Sequence, residues 1–229
     1  MSTLNVMIQK IRKILFWLIT LAVAYFIFCI AGLIYLKFAD PVTTMVQLQR
    51  RVEATIQNKD YRRQRTPVPL SKISLQLRRA VIAAEDGRFY QHGGVDWQEL
   101  GKVWEKNQKS GEPIRGASTI TQQLVKNLFF TTHRLYIRKI YEFSLAPIAE
   151  IILGKDRILE LYLNNVEWGI GVYGAEAAAQ YYYNQSARWL SKWQSARLAS
   201  VLPAPRTRSP HRMDWYAKII INRMSERGW

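Results

Sequence analysis

One continuous apolar segment near the start of the chain stands apart from the mixed polar and apolar positions of the rest. It runs from Ile14 to Leu36 without a charged residue. At about 1.5 Å per helical residue, it is longer than the roughly 30 Å of a bilayer's hydrocarbon core. The pattern predicts a transmembrane helix. A signal peptide is the alternative, but the run outlasts an h-region of about 7–15 residues and no small-residue cleavage site follows it.

Basic residues before the predicted span set its orientation. Lys10, Arg12 and Lys13 precede it, and the positive-inside tendency places residues 1–13 in the cytoplasm. Everything after Lys37 then lies outside, because long domains are translocated largely regardless of their charge. The only cysteine, Cys29, lies within the span, so we expect the outer domain to fold without disulfides.

The rest of the chain has mainly helical periodicity. Residues 37–66 are polar, and we interpret them as a juxtamembrane connector that is partly helical. No run of alternating strand residues stands out, so we expect a mostly α domain over residues 67–229. The predicted helices and their signals are 74–85 with Ser74 as N-cap, 118–129 capped by Ser118, 135–152 with a break or kink at Pro147, a helix after Gly154, 175–183, and a last helix with a Ser191–Gln194 capping box that Pro203 stops.

The charge of the chain indicates an anionic partner. The formal net charge is +16, from 33 Lys and Arg against 17 Asp and Glu. Outside the membrane, the anions beside the anchor are phospholipid headgroups and lipid diphosphates rather than nucleic acid. A basic surface without a specific ligand is the alternative.

Glu85 is a candidate general base. It lies at the end of a predicted helix, where the negative end of the macrodipole and the charge of Asp86 both raise a carboxyl pKa. A carboxylate with a raised pKa is a better general base. An ordinary solvated acid at a helix end is the alternative. His92 has no Cys or His at metal-binding spacing, so we expect it to be a hydrogen-bonded structural residue.

Two further clusters have side chains that could bind sugar or phosphate oxygens or a diphosphate. A helix start exposes N–H groups, and the side chains there could bind sugar or phosphate oxygens; they are Ser118, Thr119, Thr121, Gln122 and Gln123. Arg134, Arg138 and Glu142 are spaced four apart, on one helix face, with Lys139 beside them and Lys126 before them. Clustered cations opposite one acid suit a diphosphate leaving group. A simple surface ion pair between Arg138 and Glu142 is the alternative.

In this order, these segments resemble the glycosyltransferase family 51 domain of bacterial peptidoglycan polymerases, in its monofunctional form. The likeness spans Pro67 to about Pro210. Five motifs match in order: Glu-Asp-x-x-Phe-x-x-His-x-Gly at 85–94, a small-residue pair with Ser-Thr-Ile-Thr-Gln-Gln and Lys-Asn at 116–127, Arg-Lys-x-x-Glu at 138–142, and segments 155–174 and 197–205. The chain contains no Ser-x-x-Lys sequence, so we expect no penicillin-binding transpeptidase.

The resemblance implies a mostly α, lysozyme-like, two-lobed domain after one transmembrane helix. It also implies that the protein polymerises lipid II into β-1,4-linked glycan strands by inverting transfer from an undecaprenyl-diphosphate-linked donor. Glu85 would then be the general base and Glu142 the second acid. The residues implied to bind the substrate or its diphosphate are Lys126, Arg134, Arg138, Lys139, Ser118, Thr119, Gln122, Gln123 and Asn127.

The resemblance further implies a single-pass protein of the bacterial inner membrane, with a cytoplasmic N-terminus and a periplasmic catalytic domain. The partners we expect are lipid II, the lipid-linked glycan and the membrane, and we leave divisome or other cell-wall synthesis proteins open. We expect no nucleic acid. No dedicated metal ligands are legible, although a divalent cation, Mg²⁺ or Mn²⁺, often assists this family at the diphosphate, and this too is left open.

Two other functions compete with this interpretation. A lysozyme-like lytic transglycosylase needs an acid but no cationic diphosphate site, so Lys126, Arg134 and Arg138 favour synthesis. A non-catalytic membrane scaffold that binds anionic lipid would require neither Glu85 nor the Gln122–Gln123 pair.

Overall fold

The computed structural model describes residues 3–110, 118–133 and 135–229. These residues are mostly helical, as predicted. The helices are α1 (Thr3–Phe38), α2 (Met45–Ile56), α3 (Leu75–Glu85), α4 (Trp97–Ser110), α5 (Ile120–Phe129), α6 (Tyr136–Leu153), α7 (Lys155–Asn165), α8 (Ala175–Tyr183), α9 (Lys192–Ala199) and α10 (Asp214–Ser225). A small sheet contains β1 (Gln64–Arg65), β2 (Glu167–Gly169) and β3 (Val172–Tyr173).

Helix α1 is both a candidate membrane span and a packing partner of the domain. By length and composition, Asn5–Phe38 could cross a membrane, and this segment contains the predicted span. Its last turns are packed: Cys29, Leu33 and Leu36 are buried, and α1 lies against α6. The Tyr141 hydroxyl donates to the carbonyl of Ala22 at 2.9 Å. The C-terminal end of the helix therefore belongs to the core of the domain.

The polar segment after the anchor is partly helical, as predicted. Thr44 caps α2 by accepting a hydrogen bond from the amide of Gln47 at 3.3 Å. The helix packs against α5, and Arg50 forms an ion pair with Glu167 of β2 at 3.3 Å. The connector is thus held against the domain at two places rather than extending freely between membrane and domain.

The helix caps follow local sequence rules, with one correction. Ser74 caps α3, and Ser191 with Gln194 forms the predicted capping box of α9. Helix α5, however, is capped by Thr119 and not by Ser118. The residue three positions after Thr119 is Gln122, whose side-chain oxygen accepts a hydrogen bond from the amide of Thr119 at 3.1 Å. The position three after Ser118 carries only a short threonine, which cannot close such a box.

The sequence predicts a break or a kink at Pro147; helix α6 continues through this residue, so a break is excluded. Proline removes one backbone donor and normally destabilises a helix interior. Here α6 packs against α1, α5 and α7, and most helical stability in proteins comes from such packing of an apolar face. That packing offsets the missing hydrogen bond.

Three short strands that the sequence pattern does not indicate accompany the helices. The three strands pair in the order β1-β3-β2, with β1 parallel and β2 antiparallel to β3. At two or three residues each, they are too short to show a period of two. Helix α9 is not the last helix, because α10 follows it and packs against α3 and α9.

Gly94 fixes a turn between α3 and α4 against the backbone of α6. Its φ is +94°, and a Cβ there would lie 2.6 Å from the carbonyl of Ala146. The Gly94 carbonyl also accepts a hydrogen bond from the Thr119 hydroxyl at 2.6 Å. Only glycine combines this backbone conformation with so close an approach.

We therefore expect Gly94→Ala to lower the free energy of unfolding by about 1–3 kcal/mol from backbone strain alone, with the clash against α6 adding to this. Gly93→Ala is the matched control, since a Cβ at that position meets nothing within 4 Å. Thermal unfolding of both variants in detergent measures the difference. Equal melting temperatures for the two variants would contradict the packing described for Gly94.

Candidate active site

Glu85 ends α3 on the wall of a cavity of about 450 Å³. Its Oε2 accepts a hydrogen bond from Nε2 of Gln123, one turn into α5, at 2.8 Å. Burial is the main cause that raises the pKa of Glu85, while the Gln123 hydrogen bond and the charge of Lys126 oppose the rise. The repulsion from Asp86 is a smaller cause in the same direction. The pKa is raised as expected, but mainly through burial, which one sequence does not reveal.

Asp86, the next residue, joins the two helices that carry the site. It is buried, and its carboxylate accepts hydrogen bonds from Nε2 of His92 and from the amide of Ile120, each at 2.9 Å. Nδ1 of His92 accepts from the amide of Gly94 at 3.2 Å. Since that amide can only donate, we place the ring proton on Nε2. The predicted hydrogen bonding of His92 is confirmed, and its structural role stays a prediction.

A second cavity, of about 230 Å³, adjoins the first and shares Ser118 with it. It brings together most of the predicted binding residues, together with one residue that was not predicted. Its lining is Ser118, Gln122, Gln123, Lys126, Thr132, Arg138, Lys139 and Glu142. Gln123 also contacts Glu85 in the first cavity, so one side chain connects the candidate base with the cationic cavity.

Glu142 lies between cations at the bottom of this second cavity. Only 3% of the residue is exposed, and its carboxylate contacts Nε of Arg138 at 3.4 Å and Nζ of Lys139 at 3.1 Å. Lys139 also donates to the Ser118 hydroxyl at 3.1 Å. The pair of Arg138 and Glu142 is therefore not a solvated surface pair.

Lys126 faces these groups from α5. Within the described residues, its ammonium makes neither a hydrogen bond nor an ion pair. Burial lowers the pKa of Lys126, and the positive charges of Arg138 and Lys139 lower it further, against the opposing effects of Glu142 and Glu85. A bound anion would relieve this repulsion.

Some predicted residues do not converge on the cavities. Asn127 is buried and lines neither of the two. Thr119 lines the first cavity, but its hydroxyl is engaged with Gly94 and the start of α5. Arg134, like Gly116 at the start of the second motif, lies outside the described residues, so its contact with phosphate stays a prediction.

Sequence reasoning missed several residues that line the cavities. Thr132 lines the second cavity, and its position two residues before Arg134 was the only available signal. The first cavity is lined in part by Arg223 of α10 and by Glu226 and Arg227 just after that helix. That helix was not predicted, and its contact with α3 depends on chain segments far apart in sequence.

Three groups near the site could hold a metal ion by distance alone. The potential ligand atoms of Asp86, His92 and Asp96 lie within 4.8 Å of one another. Each already has partners: the Asp86 carboxylate binds His92 and Ile120, and Asp96 accepts from the amide of Glu99 at 2.9 Å and pairs with Arg88 at 3.4 Å. A metal ion at this place would have to displace these protein partners.

Comparison with known proteins identifies the family. The family model described as Transglycosylase matches residues 51–225. The chain belongs to this transglycosylase family. Its relatives include proteins named biosynthetic peptidoglycan transglycosylase from Bordetella pertussis, 41% identical with 91% of this chain and 88% of the relative covered, and from Herminiimonas arsenicoxydans, 42% identical with 93% and 96% covered. A third, from Janthinobacterium, is 42% identical over 94% of this chain and 96% of the relative.

The family match of this transglycosylase begins within the predicted connector, at residue 51, which lies in α2. This agrees with the packing of α2 against α5. This chain covers the relatives almost from end to end, as expected for a monofunctional enzyme.

We expect Glu142→Gln to reduce polymerisation by this transglycosylase about 10²-fold, because Arg138 and Lys139 lose the charge that holds them in place. Some stability is lost because Glu142 offsets repulsion among the cations, but the loss should be limited, since a glutamine keeps the shape and both cations remain partly exposed to water. Glu105→Gln on the exposed surface of α4 is the control. Activity and melting temperature are measured on the same preparations, and a fully active Glu142→Gln enzyme would reduce the residue to a simple ion-pair partner.

Proposed function

We propose that Glu85 is the general base with which this transglycosylase polymerises lipid II into β-1,4 glycan strands. The observation that carries the proposal is the contact between Glu85 and Gln123 at 2.8 Å. It places a carboxyl group with a raised pKa where the cavity at the end of α3 meets the cationic cavity. Base and leaving-group site are thus neighbours.

In the proposed reaction, Glu85 accepts the proton of the acceptor's GlcNAc 4-hydroxyl. That oxygen forms a bond to the anomeric carbon of the donor's MurNAc, while the bond from this carbon to the diphosphate oxygen breaks. Attack opposite the leaving group inverts the configuration, so an α-linked donor gives a β-linked product. A base of raised pKa, held in place by Gln123, suits this proton transfer.

The leaving diphosphate takes up negative charge as the bond breaks. Lys126 of α5 and Arg138 and Lys139 of α6 face the space in which that charge would develop. Fixed cations around a partly buried cavity stabilise such charge more strongly than they would in water. By the family resemblance, Arg134 joins them.

Glu142 has a different role from Glu85 in this proposal. Its carboxylate lies against Arg138 and Lys139 and is almost fully buried. A carboxylate so placed is poorly suited to take a proton from a hydroxyl in the neighbouring cavity. Glu142 orients the cations instead.

A divalent cation at the diphosphate would depend mainly on the oxygens of the substrate. Among the described residues that line the cationic cavity, Glu142 is the only carboxylate, and cations already occupy it. Oxygen ligands are what Mg²⁺ requires, and this lining supplies few of them. We therefore assign the charge stabilisation to Lys126, Arg138 and Lys139.

We place the enzyme in the bacterial inner membrane, with residues 1–13 in the cytoplasm and the catalytic domain in the periplasm. The packing of α1 against α6 supports an anchor that is retained, and Ile137 and Ile140 of α6 are 59% and 61% exposed beside Arg138. Apolar side chains next to cations suit a lipid-linked substrate. Lytic cleavage of a finished glycan would not require the cationic cavity.

Glu85→Gln should lower lipid II polymerisation by about 10²-fold or more, as expected on loss of a general base. The glutamine can still accept the hydrogen bond from Gln123, so binding of lipid II should stay close to that of the unchanged enzyme. Turnover and binding are measured in parallel, and normal turnover by this variant would exclude Glu85 as the base.

The raised pKa of Glu85 also predicts a pH dependence of stability. Since the folded pKa lies above the unfolded one, ionised Glu85 reduces stability as the pH rises from the unfolded pKa through the folded pKa. Glu85→Gln cannot ionise, so its melting temperature should exceed that of the unchanged enzyme at neutral pH. The difference should shrink towards about pH 4. The prediction would be contradicted if the melting temperature of the variant, minus that of the unchanged enzyme, were lower at neutral pH than at about pH 4.

A further inference from the structure

A hydrogen-bonded pair links the helix that follows the anchor to the wall of the cationic cavity. Nε2 of Gln49 in α2 donates to Oγ1 of Thr132 at 2.8 Å. The amide of Thr132 donates to Oε1 of Gln49 at 2.7 Å. Thr132 lies between α5 and α6 and lines the cavity beside Lys126 and Arg138. The two residues are 83 positions apart, so this contact is tertiary.

The orientation of the Gln49 amide is fixed by its partners. A backbone amide can only donate, so the atom that faces the amide of Thr132 must be the oxygen. Nε2 of Gln49 also donates to the carboxylate of Glu53 at 2.6 Å, and a carboxylate can only accept. All three contacts agree on one orientation.

This orientation determines what the Thr132 hydroxyl can do. Because Nε2 of Gln49 donates to Oγ1, the hydroxyl is the acceptor in that bond and keeps its own proton for another partner. Within the described residues, that proton has no acceptor. The residue lines a cavity whose other groups are mainly cations and amides, so the acceptor that fits is an anionic oxygen.

We propose that Thr132 binds the diphosphate of the lipid-linked substrate through its hydroxyl, and that Gln49 positions it. The proposal rests on the function proposed above, because it needs an anion in the cationic cavity. A hydroxyl supplies a directed donor where Lys126 and Arg138 supply charge. Arg138 also donates to the carbonyl of Thr131 at 3.2 Å. The segment with Thr131 and Thr132 between α5 and α6 is therefore hydrogen-bonded to α2 and to α6.

The test measures binding of farnesyl diphosphate to the full-length protein in detergent. Thr132→Val keeps the shape and the backbone amide but removes the hydroxyl, and it should weaken binding about tenfold, as expected for a hydrogen bond to a charged group. Thr132→Ser keeps the hydroxyl and should bind within about twofold of the unchanged protein. Equal binding by the valine variant and the unchanged protein would overturn the proposal.

Gln49 is tested as a positioning residue through non-additivity. Gln49→Ala should weaken binding severalfold in the unchanged protein, but by less than about twofold when Thr132 is already valine, since the two act as a unit. Gln57→Ala, at an exposed position just after the same helix, should change neither binding nor melting temperature. If Gln49→Ala weakens binding equally in both backgrounds, Gln49 does not act through the Thr132 hydroxyl.

One measurement separates failure of this proposal from failure of the proposed function. The unchanged protein is assayed for lipid II polymerisation and for farnesyl diphosphate binding. If it polymerises and binds while Thr132→Val behaves identically, only the role of Thr132 is wrong. If it does neither, the cationic cavity is not a diphosphate site, and both proposals fail.

Discussion

The carboxylate of Asp86 is the contact on which the site depends. It lies where α3 ends and α5 begins, and it accepts a hydrogen bond from the amide of Ile120 in the first turn of α5. The helix dipole favours a negative charge at that end of α5. Glu85 precedes Asp86, and Gln123 lies one turn after Ile120. The bond that joins the two helix ends therefore also sets the contact between Glu85 and Gln123. The Asp86 carboxylate accepts hydrogen bonds from His92 and from the amide of Ile120, whereas burial raises the pKa of Glu85. The two adjacent acids therefore differ in their surroundings.

The second constraint is the balance of charge between α5 and α6. Lys126 on one helix and Arg138 with Lys139 on the other would repel each other if they packed alone. The buried carboxylate of Glu142 offsets part of that repulsion and contacts both cations of α6. Positive charge stays in excess, since three cations face this one carboxylate. Burial is the main cause that lowers the pKa of Lys126, and the charge of Glu142 opposes it. The excess of positive charge is what a diphosphate would neutralise.

The features that depend on neighbouring residues could be predicted from the sequence. The Ser74 cap, the end of α3 at Glu85 and the capping box of α9 each depend on residues within one or two turns. Contacts across the chain were out of reach: Asp86 and Ile120 are 34 positions apart, and no periodicity relates them. Charge and spacing grouped Lys126, Arg138 and Glu142, and the family resemblance gave them roles. It gave no reason to single out Thr132, whose neighbour Gln49 lies in what was interpreted as a connector.

The membrane anchor and the cationic cavity share one helix. Tyr141 of α6 donates to the carbonyl of Ala22 in α1, while the next residue, Glu142, contacts Arg138 and Lys139. Successive residues of a helix point about 100° apart, so α6 can hold the anchor with one face and the cavity with another. The segment after the anchor contacts the same cavity again through Thr132. With two such contacts, the predicted anchor and the cavity belong to one packed unit, which suits a substrate whose diphosphate is itself tied to a lipid.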